Sequence, residues 1–406
     1  MILAVPLMIQ ILAIARNTLL QTIRQPIYGI IVLVTLGGLA LAPSLTGWTL
    51  DDDNKLLRDI GLSTLLIQGL FLAVFAASST LHAEIDDKTT LTVVSKPVQR
   101  TIFILGKYLG LLGAVAAAHY LAGIALFMAM RHGVLQSAAD TSDVTVLVLG
   151  PGMVLVLAIA ATVLNYIYDW RFLPTLITLA LPFLSLSTLV LMVVDRDWKL
   201  QTYESAQPIE RLPPECAEAE ALRGIIEFRP NAGQLALEGH SGALVHNDWK
   251  GPITIEQQNY LLGLHDSIEW RRNVNLLIDK TRQRQGTEIF KAGLLLFVAV
   301  GLLAAFAILA ATRLGVLAAF MTCVILLCAG LSSDQVIKPI AESGKTWAAA
   351  AYRIIPNFQI FWMVDALSEH LVIPWGYVGA AAGYGLLYTI AVLILAMAFF
   401  ETREVG

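Results

Sequence analysis

Eight apolar runs, each near the roughly 20 residues a helix needs to cross a bilayer, constrain this chain more than any other feature. They fall at 27–45, 60–81, 102–130, 144–164, 172–194, 290–311, 314–331 and 378–400. Hydrocarbon offers no partner to a backbone N–H or C=O, so segments of this length cross only as helices. Charged residues make up 14 % of the chain, against about 25 % in soluble domains, and the mean hydropathy is positive. The expected fold is an all-α polytopic membrane protein with about eight transmembrane helices.

Several function classes are excluded early. A net charge of -4 without a basic run argues against nucleic acid as a partner, because phosphate binding needs clustered Lys and Arg. Cys216, Cys323 and Cys328 are an odd set, the last two within one apolar run, which leaves neither a disulfide framework nor a zinc pattern. No HExxH, no GxSxG and no pair of intramembrane carboxylates is present, so the spans hold no candidate for hydrolysis or ion coupling. Energy for any work must come from elsewhere.

The N-terminus lacks the basic region and cleavage site of a signal peptide and is expected to be retained. In residues 1–26, Gln10, Asn17, Gln21 and Arg24 recur at helical spacing among apolar residues, which predicts an amphipathic interfacial helix. With that helix inside, Arg16, Arg24, Lys88, Lys96, Arg100, Lys107, Arg171, Arg313 and Arg403 are cytoplasmic, and Asp51, Asp52 and Asp53 lie outside. The positive-inside rule favours this orientation, with both termini in the cytoplasm.

The remaining organisation follows from that topology. A first transmembrane bundle covers 27–194 and a second covers 290–406, whose segment 332–377 is rich in Trp, Tyr and Phe and is expected along the outer leaflet. Between them, 195–289 is long enough for a small extracytoplasmic domain. Strand-like runs at 224–229 and 234–238 flank a turn-rich linker, and 255–285 suits an amphipathic helix, so this domain is expected to be α+β.

One polar island, residues 84–100, separates two long apolar runs on the cytoplasmic side. It is too short to fold a core and too charged for lipid, where each central charge costs at least ~2.5 kcal/mol. Pro97 can end a short helix begun near Glu84. Held between two spans, such a helix can carry rigid-body motion from a soluble partner into the membrane.

At this point the chain resembles the permease subunits of ABC transporters of the type-2 exporter class. The resemblance rests on Glu84, the run from Thr90 and Leu91 to Val94, the string Ser95, Lys96, Pro97, Val98, Gln99 and Arg100, and Gly106 with Lys107 entering the next span. Thr18, Leu19 and Arg24 at the end of the first helix, Pro356 and Asn357 before Phe361, and Phe400 before Arg403 and Glu404 extend it along the membrane portion. The class is typically six-span with smaller outer loops, so two runs and the 195–289 block are additional here.

The resemblance implies that 84–100 is a coupling helix docking a cytoplasmic ABC ATPase, with Glu84, Asp86, Asp87, Lys88, Thr90, Leu91, Ser95, Lys96, Pro97 and Arg100 as the docking residues. It implies no catalytic residue, metal or cofactor in this chain; ATP and Mg would be bound by the partner ATPase. A second permease copy or paralogue, surrounding lipids and a bacterial cytoplasmic membrane complete the expectation, with an unidentified cargo exported. The alternative is a membrane-anchored receptor, scaffold or enzyme acting through the extracytoplasmic block.

Four further features have a functional and a plainer account. Ser343, Gly344, Lys345 and Thr346 resemble the end of a P-loop, but Pro339 stands where its first Gly is needed, and a P-loop follows a strand and must face ATP whereas this string is expected outside. His240, His246 and Asp248 read as loop residues before they read as metal ligands. His119, mid-span, is a proton relay or, more simply, a neutral ring bonded to a neighbouring helix. Gln68 is a second buried polar group, and Gly37, Gly38 and the glycines of 379–385 are expected to admit close helix approach.

Overall fold

A computed structural model describes residues 4–46, 53–86, 100–134, 142–194, 198, 200, 268–368 and 372–401, with backbone alone for 4–6, 53–54, 81–86, 268–285 and 368. The chain divides into two compact units, 1–199 with 289–406 and 200–288. The first is built from α1 (Ala4–Ile23), α2 (Pro26–Thr46), α3 (Asp53–Asp86), α4 (Arg100–His132), α5 (Val144–Tyr168) and α6 (Phe172–Val193). After α7 (Ile268–Ala311), whose residues up to 288 fall in the second unit, it continues through α8 (Val316–Leu331), α9 (Lys338–Glu342), α10 (Thr346–Ile354), α11 (Val364–Ser368) and α12 (Trp375–Glu401).

Seven helices among the described residues are long and apolar enough to cross a membrane, from α2 through α7 and α12. This is a helical, multi-pass membrane fold. The eighth expected run behaves differently, because α8 has only 16 residues and is followed by a 60° bend into Ser333–Glu342. The α+β character expected of 195–289 finds no support: among its described residues, 268–288 is helix and no β-strand is formed. The strand-like runs at 224–238 lie outside the described residues.

Helix boundaries follow local chemistry. Pro26, which lacks an N–H, opens α2 at a position where that donor has no intrahelical partner. Asp143 caps α5, its Oδ1 accepting from the N–H of Thr145 at 3.1 Å and of Val146 at 3.2 Å. Arg131, in the last turn of α4, then ties three helix ends together. It pairs with Asp143 at 3.4 Å and donates to the Thr145 hydroxyl at 3.3 Å and to the carbonyl of Val194, just past α6, at 2.6 Å.

Burial identifies a central triad. The apolar windows of α7, α3 and α4 are 72 %, 67 % and 56 % buried, against 28–39 % for α2, α5, α6 and α12. Small residues fill much of the triad's interior: Ala73, Ala77, Ala114, Ala118, Ala122, Ala304 and Ala305 are fully buried. Lipid tails are as apolar as Leu, so close backbone approach and polar contacts, rather than hydrophobicity, order helices inside a bilayer. The peripheral helices keep Leu155, Val156, Ile159, Leu186 and Leu387 exposed, a surface suited to lipid.

The register of α3 against α4 is set by two contacts. Gln68 Nε2 donates to the Ala118 carbonyl at 3.4 Å, and a methyl group on Gly61 would stand 2.1 Å from Leu126. The helices therefore run antiparallel, and the same register sets Asp86 opposite Arg100. Their 34 and 33 residues give about 50 Å of helix each, well beyond the roughly 30 Å of hydrocarbon. The hairpin thus has turns to spare outside the lipid.

The first helix packs along α4 on a glycine stripe. A methyl on Gly106 would meet Ile14 at 2.7 Å, and one on Gly110 would meet the Ala15 carbonyl oxygen at 2.4 Å and Thr18 at 2.6 Å. Contacts advance together in both helices, so α1 and α4 run side by side in the same direction. The buried stripe of α1 carries Thr18 and Thr22, fully enclosed, while Leu7, Met8, Ile9 and Leu12 are exposed. By contrast, Gly37, Gly38, Gly379 and Gly383 have nothing within 4 Å, and only Gly385 of that expected set is crowded, against Val298 and Phe361. Small residues permit close approach only where another backbone faces them.

Two substitutions on α4 separate these cases. Gly110→Ala is expected to destabilise by about 1–3 kcal/mol, because the backbone of α1 cannot yield. Gly123→Ala, facing open space, is expected to be neutral or stabilising by up to about 1 kcal/mol through helix propensity. Thermal unfolding of the purified chain in detergent checks both; equal effects would refute the tight α1–α4 seam.

Candidate functional site

The 84–100 segment that the sequence singles out is described at its two flanks. Glu84 and Asp86 continue α3 to its end, and Arg100 begins α4. Asp87, Lys88, Thr90, Leu91, Ser95, Lys96 and Pro97 lie outside the described residues. The antiparallel register brings both flanks to one end of the bundle, here termed the Arg100 end.

Arg100 is engaged within the chain itself. Its Nη1 donates to the carbonyls of Phe400 at 3.4 Å and Glu401 at 2.8 Å, the last residues of α12. Arg313, in the link between α7 and α8, donates to the adjacent Phe399 carbonyl at 3.0 Å, and its guanidinium stands 6.0 Å from the Phe399 ring. Phe400 stacks on Phe103 at 5.7 Å, and the ammonium of buried Lys107 lies 5.5 Å from the other contact partner, the Phe103 ring.

The physical reason for this clamp is legible at the helix terminus. The last four carbonyls of a helix have no intrahelical donor and carry the negative end of its dipole. The final turn of α12 contains no basic residue of its own, so its carbonyls take donors from α4 and the α7–α8 link. That missing cation was the available signal; it did not reveal that Arg100, 301 positions from Glu401, and Arg313, 86 positions from Phe399, would supply it.

A second polar node surrounds the Pro356–Phe361 motif. Asp334, in the bend after α8, accepts from the Tyr352 hydroxyl on one carboxylate oxygen at 2.8 Å and from Asn357 Nδ2 on the other at 2.7 Å. Asn357 also caps the short 3-10 turn Phe358–Phe361, accepting from the Gln359 N–H at 2.9 Å, and its own N–H donates to the Tyr384 hydroxyl on α12 at 2.8 Å. Phe358 and Phe361 are buried, and Gly330 lies so near Pro356 that a methyl there would stand 2.5 Å from its carbonyl oxygen. The hydrogen bond to Asp334, with burial and the nearby carboxylates, holds the Tyr352 phenol above its ordinary pKa.

The remaining sequence candidates resolve more simply. His119 Nε2 bonds the Gly293 carbonyl on α7 at 2.9 Å, the plainer of its two accounts. Gly344 adopts φ +90° in the turn between α9 and α10, so the P-loop-like string follows a five-residue helix rather than a strand. His240, His246 and Asp248 lie outside the described residues, and no group of three metal-ligating side chains occurs among the described ones. The sequence passed over Asp334, although an acidic residue next to an apolar run is a signal for a polar partner.

Comparison of the chain with protein-family models, with curated proteins and with solved structures finds no match in any of the three.

Two tests address these nodes. Replacing Arg100 and Arg313 by Met keeps the aliphatic stems and removes the donors, so the end of α12 is expected to lose about 1 kcal/mol and its amides at 398–401 to exchange about fivefold faster. Unchanged hydrogen–deuterium exchange there would refute the clamp. Asp334→Leu, which leaves two donors without their carboxylate, is expected to destabilise by roughly 2 kcal/mol, and Asp334→Asn by less because one acceptor remains. Equal melting temperatures for both variants and wild type would mean that the node does not hold the segment.

Proposed function

We propose that this chain is the membrane permease subunit of an ATP-driven exporter of the ABC type-2 class, hydrolysing nothing itself and docking a separate cytoplasmic ATPase through 84–100. The observation that carries the reading is the ordered set of motif residues around Glu84, Ser95, Pro97, Arg100 and Lys107, in a chain whose spans hold no energy-harvesting site. The geometry supports it in one respect: the segment joins the ends of α3 and α4, two of the three most buried helices, so force on it reaches the core first.

In this reading the Arg100 end faces the cytoplasm and α1 lies at that membrane surface. Its exposed Leu7, Met8, Ile9 and Leu12 enter the headgroup boundary while its threonine stripe rests on α4. ATP binding and hydrolysis move the partner between two states, the 84–100 segment follows, and the α3–α4 hairpin tilts as a unit. A second permease copy completes the translocation path, and the bend with Asp334 lies on the far side.

The test is recovery of the partner. Tagged wild-type chain, extracted in detergent, should bring down a stoichiometric ATP-hydrolysing subunit, and Glu84→Arg should lower that recovery at least about tenfold while membrane insertion is unchanged, the loss of one charge-assisted contact plus repulsion. Absence of any ATPase with the wild-type chain would refute the permease reading and favour a receptor or enzyme acting through 195–289. Equal recovery with Glu84→Arg would refute the docking assignment alone.

A further inference from the structure

Between α8 and α12 the chain folds back before it has crossed the membrane, and two rulers give the depth. Helix α8 begins just after Arg313, at the Arg100 end, and its 16 residues rise about 24 Å, short of the roughly 30 Å of hydrocarbon. Helix α12 is met in its middle: the Tyr388 hydroxyl donates to the Arg353 carbonyl at 3.2 Å, and Tyr388 lies about 20 Å from either end of α12. The return path then climbs toward the start of α12, where the Tyr377 hydroxyl donates to the Ile360 carbonyl at 2.8 Å. The hairpin 333–354, which follows the 60° bend, therefore lies within the thickness of the bilayer, in the half away from Arg100.

Its second arm, α10, carries its larger apolar side chains on the wrong face for water. Ala348 is buried and Tyr352 is held inward by Asp334, whereas Trp347 and Ile354 are 62 % and 73 % exposed, with exposed Ala350 between them at i, i+3 and i+7. Such an outward stripe belongs against lipid. Three cations accompany it: Lys338 in α9, Lys345 in the turn and Arg353 in the last turn of α10, all exposed. Their side chains have no hydrogen-bond or ion-pair partner among the described residues. Of the two carboxylates in the hairpin, Asp334 has both oxygens taken by Tyr352 and Asn357, which leaves Glu342 to oppose three positive charges. A cation facing acyl chains is strongly disfavoured, and Lys and Arg escape by extending their stems to the headgroups.

We infer that the α9–α10 hairpin recruits anionic phospholipids of the leaflet away from Arg100, their phosphate-bearing headgroups drawn by Lys338, Lys345 and Arg353 and their acyl chains by the face of Trp347 and Ile354. The pairing of unsatisfied cations with an outward apolar stripe selects a lipid over a soluble anion, which has no use for the stripe. The inference needs only that the chain crosses a bilayer. It depends neither on the ATPase reading nor on which side of the membrane is cytoplasmic.

The full chain in detergent, titrated with phosphatidylglycerol or phosphatidylcholine and read by native mass spectrometry, tests it. Wild type is expected to prefer phosphatidylglycerol. Each of Lys338→Gln, Lys345→Gln and Arg353→Gln is expected to lower that preference about fivefold, and the triple variant to lose most of it, at an unchanged melting temperature because these side chains hold nothing in the fold. Glu342→Gln, which removes the opposing charge, is expected to raise it. No preference in wild type, or a preference that survives the triple substitution, overturns the inference. Equal competition by glycerol 3-phosphate, which has the phosphate without the chains, also overturns it, in favour of a soluble anion. Should the triple variant fail to fold, the single variants decide: opposite shifts for Lys345→Gln and Glu342→Gln support the inference, and unshifted preferences overturn it.

Discussion

Inside a bilayer no water is on hand to complete a hydrogen bond, and the polar contacts that hold one helix of this structure to another answer that constraint. Backbone groups within spans close on themselves, which leaves helix ends and a few side chains to be satisfied by the chain. Arg131 does so for the end of α6 through the Val194 carbonyl, Arg100 and Arg313 do so for α12, and Lys291 donates to the Ile373 carbonyl at 2.9 Å just before α12 begins. The last helix is therefore pinned at both ends by cations from other elements. With only a third of its apolar window buried, packing alone would hold it weakly.

The spans were legible because hydropathy is a local property, and seven of the eight apolar runs coincide with helices that reach a few residues further at most ends. The exception is instructive. The run at 314–331 reads as a span like the others, yet α8 stops at Leu331 and the chain bends where Ser332, Ser333 and Asp334 replace apolar residues. The bend is stabilised by Tyr352 and Asn357, both of which lie later in the chain, so no window centred on the run could have registered it.

Helix pairing was less legible, for a reason visible in the glycines. Gly37 with Gly38, the cluster at 379–385 and the trio Gly106, Gly110 and Gly113 all satisfy the rule that small residues permit close approach. The trio meets a helix backbone, because α1 supplies Ala15 and Thr18 within contact of Gly110, whereas the cluster is approached only at Gly385, by the side chains of Val298 and Phe361. The rule states a permission, and the three-dimensional path of the chain decides where it is used. The same holds for Arg100, whose place in a motif was apparent while its attachment to Glu401 was not.

That attachment changes what the polar island can move. A docking segment carried by a loose loop would transmit little, since displacement would be absorbed in its own torsions. Here its two flanks are the ends of α3 and α4, locked in register by Gln68 and by the contact of Gly61 with Leu126, and α4 is in turn bonded to α7 through Tyr108 Oη on the Gly301 carbonyl at 3.2 Å. Arg100 adds α12 to the same assembly at the island's own end. Under the proposed reading, a push on 87–99 would act on these four helices together, while α6 is joined to α4 both through Arg131 on the Val194 carbonyl and through the Tyr120 and Ser185 hydroxyls at 2.8 Å.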